Sequence, residues 1–232
     1  MSATRLLFIE CSPRGGNATS SGFGRLLLSA IRRRIGAGVT VTERHLGLEP
    51  LPPISAAYAE SLLLPAEKAR ARFQGQLAVS DELIGELEAA DLLIIASPVH
   101  NFTVPAALKT WIDYVVRNGV TFTSTPEGKI GLLRDRPTLI AVTSGGAMFR
   151  DPPVQPDFFR PYLSAVLGVI GLRDVTFAQS TGLAFAPEPL VEIERQADAW
   201  VKTHLDRLLS AAAGSSSHPG KTSLVPGAAE VG

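Results

Sequence analysis

The feature that most constrains the fold is a short apolar run at residues 92–95 that leads into a turn bounded by two prolines. The run Leu-Leu-Ile-Ile has no polar alternation, which is typical of a strand covered on both faces in a parallel sheet. Pro98 restricts the residue before it to extended geometry, and Pro105 has the fixed φ that suits the first turn of a helix. The pattern predicts a buried strand, an elbow at residues 96–105 and a helix over residues 106–117, with the elbow at the edge where open α/β sheets bind ligands.

The same order of apolar run, polar loop and helical periodicity recurs along the chain. We predict strands at residues 6–9, 39–42, 92–95, 138–142 and 175–178. We predict helices from Thr19 to Ile35 and at residues 56–76, 80–90, 106–117, 158–167 and 190–209. Strands that alternate with helices predict an α/β fold with a parallel sheet and right-handed crossovers.

Length and composition predict one large domain. The chain has 232 residues, of which 45% are hydrophobic, so a substantial core can form. We place this domain at residues 1–210 and expect residues 211–232, which are rich in Ala, Gly, Ser and Pro, to form a disordered tail.

Charge and cysteine content exclude several classes of function. A formal net charge of +0, from 22 basic and 22 acidic residues, gives no electrostatic basis for binding nucleic acid. Cys11 is the only cysteine and the four histidines are dispersed, so we expect neither a disulfide nor a metal site. No run has membrane-spanning length, and the first apolar run is too short for a signal peptide, so we expect a cytoplasmic protein without membrane association.

The long loop after the first predicted strand has the composition of a phosphate-binding loop. Residues 11–22 combine glycines, hydroxyls and an arginine, and they bring Thr19 and Ser20 to the start of a helix. Free backbone N–H groups and the helix dipole attract an anion there. A plain connection that uses Ser and Thr as N-caps is the alternative, but the loop exceeds the usual few residues. Because the G-x-G-x-x-G fingerprint is absent, a mononucleotide fits better than a dinucleotide.

Several segments together resemble one enzyme family. They are Ser12 with Thr19-Ser20, Ser97-Pro98-Val99-His100-Asn101-Phe102, Leu108-Lys109-Thr110-Trp111-Ile112-Asp113, Gly119-Val120-Thr121-Phe122, Thr143-Ser144-Gly145-Gly146, and Pro161-Tyr162-Leu163 with Gly168-Val169-Ile170-Gly171. In this order and spacing, from about residue 6 to about residue 187, they resemble the FMN-dependent NADH-azoreductase family of flavodoxin-like enzymes. The most specific part is the Pro-x-x-Asn-Phe elbow followed by a helix and Gly-Val-Thr-Phe.

The resemblance implies a flavodoxin-like three-layer sandwich with a five-stranded parallel sheet of order 2-1-3-4-5. It also implies a homodimer with tightly bound FMN that takes hydride from NADH or NADPH and passes it to quinones or azo compounds by a ping-pong route. By the same resemblance, the cofactor-binding residues are Ser12, Ala18, Thr19, Ser20, Pro98, Val99, His100, Asn101, Phe102, Ser144, Gly145 and Gly146. The first four correspond to the phosphate site, residues 98–102 to the isoalloxazine ring, and residues 144–146 to its polar edge.

Two positions depart from the family pattern. Ala18 stands where a phosphate-binding serine is common, and Val99-His100 replaces a Met-Tyr or similar pair. His100 has two open roles, as a donor to the flavin or the reduced substrate, or as a polar side chain at the pocket mouth. Phe122, expected in an exposed loop, lies either beside the acceptor or, as we prefer, in the dimer interface.

Two other functions remain open on this scaffold. One is an FMN reductase that releases reduced FMN, and the other is a flavodoxin-type electron carrier, although such carriers tend to be acidic and this chain is neutral. A hydrolase is disfavoured because no Gly-x-Ser-x-Gly elbow is present.

Overall fold

The computed structural model describes residues 3–149 and 151–180, together with residues 191, 195, 198, 199, 202–204 and 206. The strands are β1 (Thr4–Glu10), β2 (Val39–His45), β3 (Leu92–Pro98), β4 (Phe122–Thr125), β5 (Gly128–Gly131), β6 (Thr138–Thr143) and β7 (Val175–Ser180). The helices are α1 (Thr19–Ile35), α2 (Ala56–Ser61), α3 (Ala66–Ala89), α4 (Ala106–Val115) and α5 (Phe159–Val169). Short 3-10 turns span Gly15–Asn17 and Gly36–Gly38.

Five of the strands form one parallel sheet in the order β2-β1-β3-β6-β7. These are the five strands predicted from the sequence, so the predicted order 2-1-3-4-5 is confirmed, with β6 and β7 as its fourth and fifth members. Because β1 and β3 are adjacent, the loops that follow them leave the same edge of the sheet side by side. A separate antiparallel hairpin pairs β4 with β5.

The core lies on both faces of the sheet. Alternate residues of β1 point to opposite faces, so Leu6 and Phe8 pack with α1, whereas Leu7 and Ile9 pack with the residues of α3, α4 and α5. Every residue from Leu92 to Ser97 is buried, as the unbroken apolar run predicted. The three-layer arrangement of helices, sheet and helices is therefore confirmed.

The predicted helix boundaries between residues 56 and 90 are wrong. Residues 56–76 are divided between α2 and α3, and α3 continues to Ala89 with one non-helical residue, Phe73, inside it. Ser80, predicted to start a helix, lies within α3, where its buried hydroxyl donates to the Tyr114 carbonyl at 2.6 Å. The serine bonds to a neighbouring helix end instead of capping its own helix, so the N-cap pattern at this point was misleading.

Helix α4 ends at Val115, two residues before the predicted end. Its last carbonyls accept hydrogen bonds from side chains of other elements: Tyr58 Oη donates to the carbonyl of Tyr114 at 3.2 Å, and Thr121 Oγ1 donates to that of Val115 at 2.7 Å. These donors satisfy carbonyls that have no partner within the helix. The C-terminus of α4 is thereby fixed against α2, α3 and the turn that leads into β4.

The segment that begins at Phe122, expected to be an exposed loop, is instead the β4–β5 hairpin. Phe122 begins β4 and is only 7% exposed, with the Lys129 ammonium 4.8 Å from the centre of its ring. Gly131 at the end of β5 passes so close to Gly171 that a Cβ atom would lie 2.2 Å from the Gly171 nitrogen. The hairpin packs tightly on the segment after α5, and this explains why Phe122 is buried rather than exposed.

Two further predictions lie partly or wholly outside the described residues. Of the predicted helix at 190–209, the residues that the structure describes are helical, and Arg33 of α1 pairs with Asp198 at 3.0 Å. The predicted tail at residues 211–232 lies wholly outside the described residues. Among the residues that are described, no helix combines the length and apolarity needed to cross a membrane.

Candidate functional site

A cavity of about 490 Å³ opens where the loops after β1, β3 and β6 meet. Its wall consists of Ser12, Pro13, Arg14, Ala18, Thr19, Ser20, Pro98, Val99, His100, Thr143 and Gly145. Eight of the predicted cofactor-binding residues are therefore brought together from three separate parts of the sequence. Asn101, Phe102, Ser144 and Gly146 belong to the same loops but not to this wall, and Phe122 is not part of it either.

The wall also includes residues that the sequence prediction missed. Thr143 is the last residue of β6. Ligand sites in open α/β sheets lie beyond the carboxyl ends of the strands, so Thr143 could have been predicted from its position at a strand end. Arg14 and Pro13 lie in the predicted phosphate-binding loop, but nothing in the sequence indicated which loop residues face the cavity.

The loop after β1 is held in one shape by short contacts. The Ser12 hydroxyl accepts a hydrogen bond from the Arg14 backbone N–H at 3.3 Å, which leaves the hydroxyl proton free for donation to a ligand. Gly47, in the turn after β2, lies directly against this loop, and a Cβ atom there would lie 2.0 Å from the Ser12 carbonyl oxygen. Gly15 adopts φ +51°, a backbone conformation that glycine tolerates best.

The N-terminus of α1 forms one end of the cavity and lacks its own cap. The N-cap residue is Ala18, in extended geometry, and it has no side-chain oxygen to accept from the first helical N–H groups. No acidic residue occupies the first turn. The Ser20 hydroxyl is buried, at 1% exposure for the residue, and has no hydrogen-bond partner among the described residues. Unpaired donors of this kind suit an anion bound at the start of the helix.

The elbow after β3 ends in a strained turn. His100 and Thr103 exchange two backbone hydrogen bonds of 2.9 and 3.0 Å, and the two residues between them have positive φ, 47° at Asn101 and 71° at Phe102. Both values match a type I′ turn, in which asparagine is common but a bulky aromatic residue is unfavourable. Phe102 is nevertheless 44% exposed. A strained, exposed aromatic residue beside a cavity indicates a functional constraint rather than a folding requirement.

Backbone hydrogen bonds join the three loops. The Cys11 N–H donates to the Ala96 carbonyl at 2.9 Å, and the Val99 N–H donates to the Thr143 carbonyl at 2.8 Å. In the loop after β6, the Ser144 hydroxyl accepts from the Gly146 N–H at 3.2 Å. The cavity wall is therefore a single connected unit rather than three independent loops.

The charged groups around the cavity favour an anion. Arg14 and His100 are the ionisable residues of the wall, and no carboxylate is among them. The nearby Glu10 is buried at the end of β1 and pairs with Arg25 at 2.8 Å and with His45 Nδ1 at 2.9 Å. Burial alone would raise the pKa of Glu10, but its polar partners outweigh burial and lower the pKa. This carboxylate is thus already engaged within the protein.

No nucleophile or metal site emerges from the described part of the chain. Cys11 is fully buried, and burial raises the pKa of its thiol, so it is a packed small residue and not a reactive one. Within the described residues, no group of three or more His, Cys, Asp or Glu side chains is placed to hold a metal ion. The arrangement can bind a phosphate-bearing ligand, but it offers no side chain suited to attack a substrate.

Comparisons with known proteins place the chain in a family. Residues 4–204 match the Flavodoxin_2 family, described as having a flavodoxin-like fold. The chain is 47% identical over 183 residues to the FMN-dependent NADH:quinone oxidoreductase 4 of Pseudomonas fluorescens, an alignment that covers 79% of this chain and 86% of the relative. It is 42% identical over 196 residues to the FMN-dependent NADH:quinone oxidoreductase 2 of Cupriavidus pinatubonensis, with coverage of 84% and 95%.

A solved structure extends the likeness to three dimensions. The azoreductase from Bacillus anthracis superposes with a TM-score of 0.69 at 25% identity, over 91% of this chain and 98% of that one. The strand order β2-β1-β3-β6-β7 is the order expected from the resemblance. The chain belongs to the Flavodoxin_2 family of flavodoxin-like proteins, as its resemblance to FMN-dependent NADH-azoreductases predicted.

Proposed function

We propose that the chain is an FMN-dependent NADH:quinone oxidoreductase that also accepts azo compounds. The observation that carries this proposal is the cavity itself, which joins an uncapped helix N-terminus to the elbow after β3 at the carboxyl edge of the sheet. Relatives at 42–47% identity are named FMN-dependent NADH:quinone oxidoreductases, which supports the same activity.

The phosphate of FMN fits the end of the cavity at α1. Ser12 has a free hydroxyl proton, and Ser20 has a buried hydroxyl that lacks a partner among the described residues. Thr19 is the first residue of the helix, so backbone N–H groups of its first turn are available to phosphate oxygens. Ala18 contributes its backbone position at the N-cap and no side-chain bond.

The ring of FMN is assigned to the elbow. Pro98, Val99 and His100 line the cavity, and Asn101 and Phe102 form the turn beyond them. Ser144, Gly145 and Gly146 are assigned to the polar edge of the ring, where backbone N–H groups of a glycine-rich loop can act as donors.

When bound, FMN would supply the hydride chemistry between the nicotinamide and the second substrate, so the residues of the protein would have to bind and orient rather than attack. The loops after β1, β3 and β6, which backbone hydrogen bonds join, would hold the ring and the phosphate. His100 is exposed on the cavity wall and is suited to donate a proton to the oxygen or nitrogen of the acceptor as it is reduced.

The finer features of the proposal are a homodimer, a cytoplasmic location and one domain at residues 1–210. The exposed aromatic residues Phe102 and Phe158 offer apolar surface that a second copy would cover. The family match over residues 4–204 supports the extent of the domain. Sedimentation of the FMN-loaded protein at several concentrations tests the dimer.

Titration and turnover test the proposed activity. The purified chain titrated with FMN is expected to quench flavin fluorescence and to bind at a ratio of one per chain. With NADH it is expected to reduce a benzoquinone and an azo dye. Initial rates measured against NADH at several fixed quinone concentrations should give the parallel reciprocal plots of a ping-pong route. Absence of FMN binding would contradict the proposal.

Two alternatives give different results in the same assays. A flavodoxin-type carrier would bind FMN but react with NADH only slowly, and an FMN reductase would release the reduced flavin, so that rates would rise with added free FMN. The neutral net charge of the chain disfavours the carrier, because acidic carriers use their charge to dock partners.

A further inference from the structure

Arg14 is the charged residue of the cavity wall for which the proposed function has no role. It lies in the loop after β1, two residues beyond Ser12 and four before Ala18, and all three residues line the cavity. We propose that Arg14 binds the phosphate of FMN and so makes the site selective for FMN over riboflavin. This role rests on the proposed function, because it concerns the same cavity.

The backbone of Arg14 is fixed in position. Its N–H donates to the Ser12 hydroxyl at 3.3 Å, and its carbonyl accepts from the Asn17 N–H at 3.2 Å. The next residue, Gly15, packs against the side chain of Leu48. A guanidinium group that extends from an anchored backbone loses less conformational freedom on binding than one on a mobile loop.

The side chain of Arg14 is available. It is exposed and makes no hydrogen bond or ion pair with any residue that the structure describes. Arg25, on the first turns of α1, is by contrast paired with Glu10 at 2.8 Å. Arg14 is the one arginine or lysine among the described residues of the wall, and its side chain is free to contact a ligand.

A phosphate bound at the N-terminus of α1 would need more positive charge than the helix supplies. A phosphate monoester carries close to two negative charges at neutral pH, whereas a helix N-terminus supplies only about half a positive charge. Ser12, Thr19 and Ser20 are neutral, and Ala18 adds no side-chain donor. A planar guanidinium matches phosphate oxygens in charge and geometry.

The phosphates of NADH are the competing ligand for Arg14. Arg14 lies on the loop that carries Ser12 and leads into α1, and not on the elbow that carries His100, where the nicotinamide has to approach the ring. Its place along the chain therefore favours the FMN phosphate.

Flavin affinity measured without turnover tests the proposal. FMN and riboflavin are titrated separately into flavin-free protein, with fluorescence as the readout, for the wild type, Arg14→Gln and Arg14→Lys. We expect Arg14→Gln to weaken FMN binding about fivefold, close to 1 kcal/mol, and to leave riboflavin binding unchanged. Arg14→Lys should retain part of the effect, and added salt should weaken FMN binding more in the wild type than in Arg14→Gln.

A matched variant separates local from general effects of charge. Arg32→Gln removes the same charge from an exposed position in the last turn of α1, far from the cavity, and should leave both flavin affinities unchanged. Thermal unfolding without flavin should be the same for the wild type, Arg14→Gln and Arg14→Lys, because the Arg14 side chain is exposed and makes no bond within the described part of the chain.

Three outcomes would overturn the role of Arg14. They are unchanged FMN affinity in Arg14→Gln, an equal loss of FMN and riboflavin affinity, and a raised KM for NADH without a change in FMN affinity, which would assign Arg14 to the nicotinamide donor. If the wild type itself fails to bind FMN, the proposed function fails and not this residue alone.

Discussion

At the scale of single residues, the site depends on positions that are unfavourable for folding. Phe102 holds a positive φ that costs a bulky side chain about 1–2 kcal/mol, and Ser20 keeps a buried hydroxyl without a partner among the described residues. Ala18 leaves the start of α1 uncapped. Ala18 and Ser20 line the cavity and Phe102 lies in the turn beyond its wall, where a bound ligand would offset such costs. The substitutions that test them are therefore expected to separate stability from flavin binding.

The turn at Phe102 gives the first such test. Phe102→Gly removes the strain of φ 71° and loses little buried surface, so it should be about 1 kcal/mol more stable than Phe102→Ala, which keeps the strain. Urea unfolding of the flavin-free proteins measures the difference. Both variants should show lower kcat/KM with a quinone, since both lose the phenyl ring of Phe102. Equal stability of the two would contradict the strained turn.

The uncapped helix gives the second test. Ala18→Ser supplies an oxygen to the first-turn N–H groups and should raise the stability of the flavin-free protein by about 1 kcal/mol. Ala78→Ser, at an exposed position inside α3, is the matched control and should lower stability by a few tenths of a kcal/mol through helix propensity. A loss of stability in Ala18→Ser would show that the first-turn N–H groups of α1 already have hydrogen-bond partners.

At the scale of elements, the cavity depends on close contacts between loops that are distant in sequence. The turn after β2 supports the loop after β1 through Gly47, and the end of α4 is fixed by Tyr58, Ser80 and Thr121. Since α4 begins directly after the elbow, the network at its far end also fixes the helix that follows the turn at residues 100–103.

The contact at Gly47 leads to a prediction on flavin binding. In Gly47→Ala, the new Cβ would lie 2.0 Å from the Ser12 carbonyl oxygen, so the backbone of the loop after β1 has to move. We expect FMN affinity to fall more than tenfold. Gly16→Ala, in the same loop but with nothing within 4 Å of its Cβ, is the control and should change affinity less than threefold. Normal FMN binding by Gly47→Ala would show that the loop tolerates the shift.

The sequence predicted the sheet elements well and the surface elements poorly, for physical reasons. Strands β1, β3 and β6 are continuous apolar runs because both of their faces are covered, and few local structures other than a central strand produce such short runs. The β4–β5 hairpin has four-residue strands with no such run, so it was missed. Ser80 showed an N-cap pattern, but its hydroxyl serves α4, a contact that no local pattern reveals. In the site, the motifs located the loops. They did not indicate that Arg14 lines the cavity, nor that Phe102 adopts a positive φ, which a bulky residue rarely does.

At the scale of the whole molecule, a cluster of ion pairs lies at the edge of the sheet opposite the cavity. Asp91, just before β3, accepts from the Arg5 backbone N–H at 3.0 Å and pairs with Arg5 and Arg134 at 3.2 and 3.0 Å. This cluster joins β1, β3 and the segment before β6 at their amino ends, away from the cavity at the carboxyl ends. Changes there should affect the fold without affecting flavin chemistry.

The Asp91 cluster leads to a prediction on pH. Burial alone would raise the pKa of Asp91, but its bonds to Arg5 and Arg134 outweigh burial and lower the pKa below the ordinary 3.8. A lowered carboxyl pKa contributes stability that is present above pH 3.8 and lost as the pH falls through the native pKa. Asp91→Asn should therefore be destabilised at neutral pH and lose less stability than the wild type below pH 3.8. Urea unfolding against pH measures this, with the exposed Glu127→Gln as control.

The most direct test of the central claim is the anaerobic reaction of the FMN-loaded protein in two separate steps. Mixing with NADH alone should bleach the visible flavin absorbance within the time of one turnover, and mixing the bleached protein with a quinone should restore it. Both steps should be at least as fast as steady-state turnover, and the flavin should stay with the protein on gel filtration. The account would be contradicted if NADH bleached the flavin at a rate far below the steady-state turnover rate. It would also be contradicted if the reduced flavin separated from the protein.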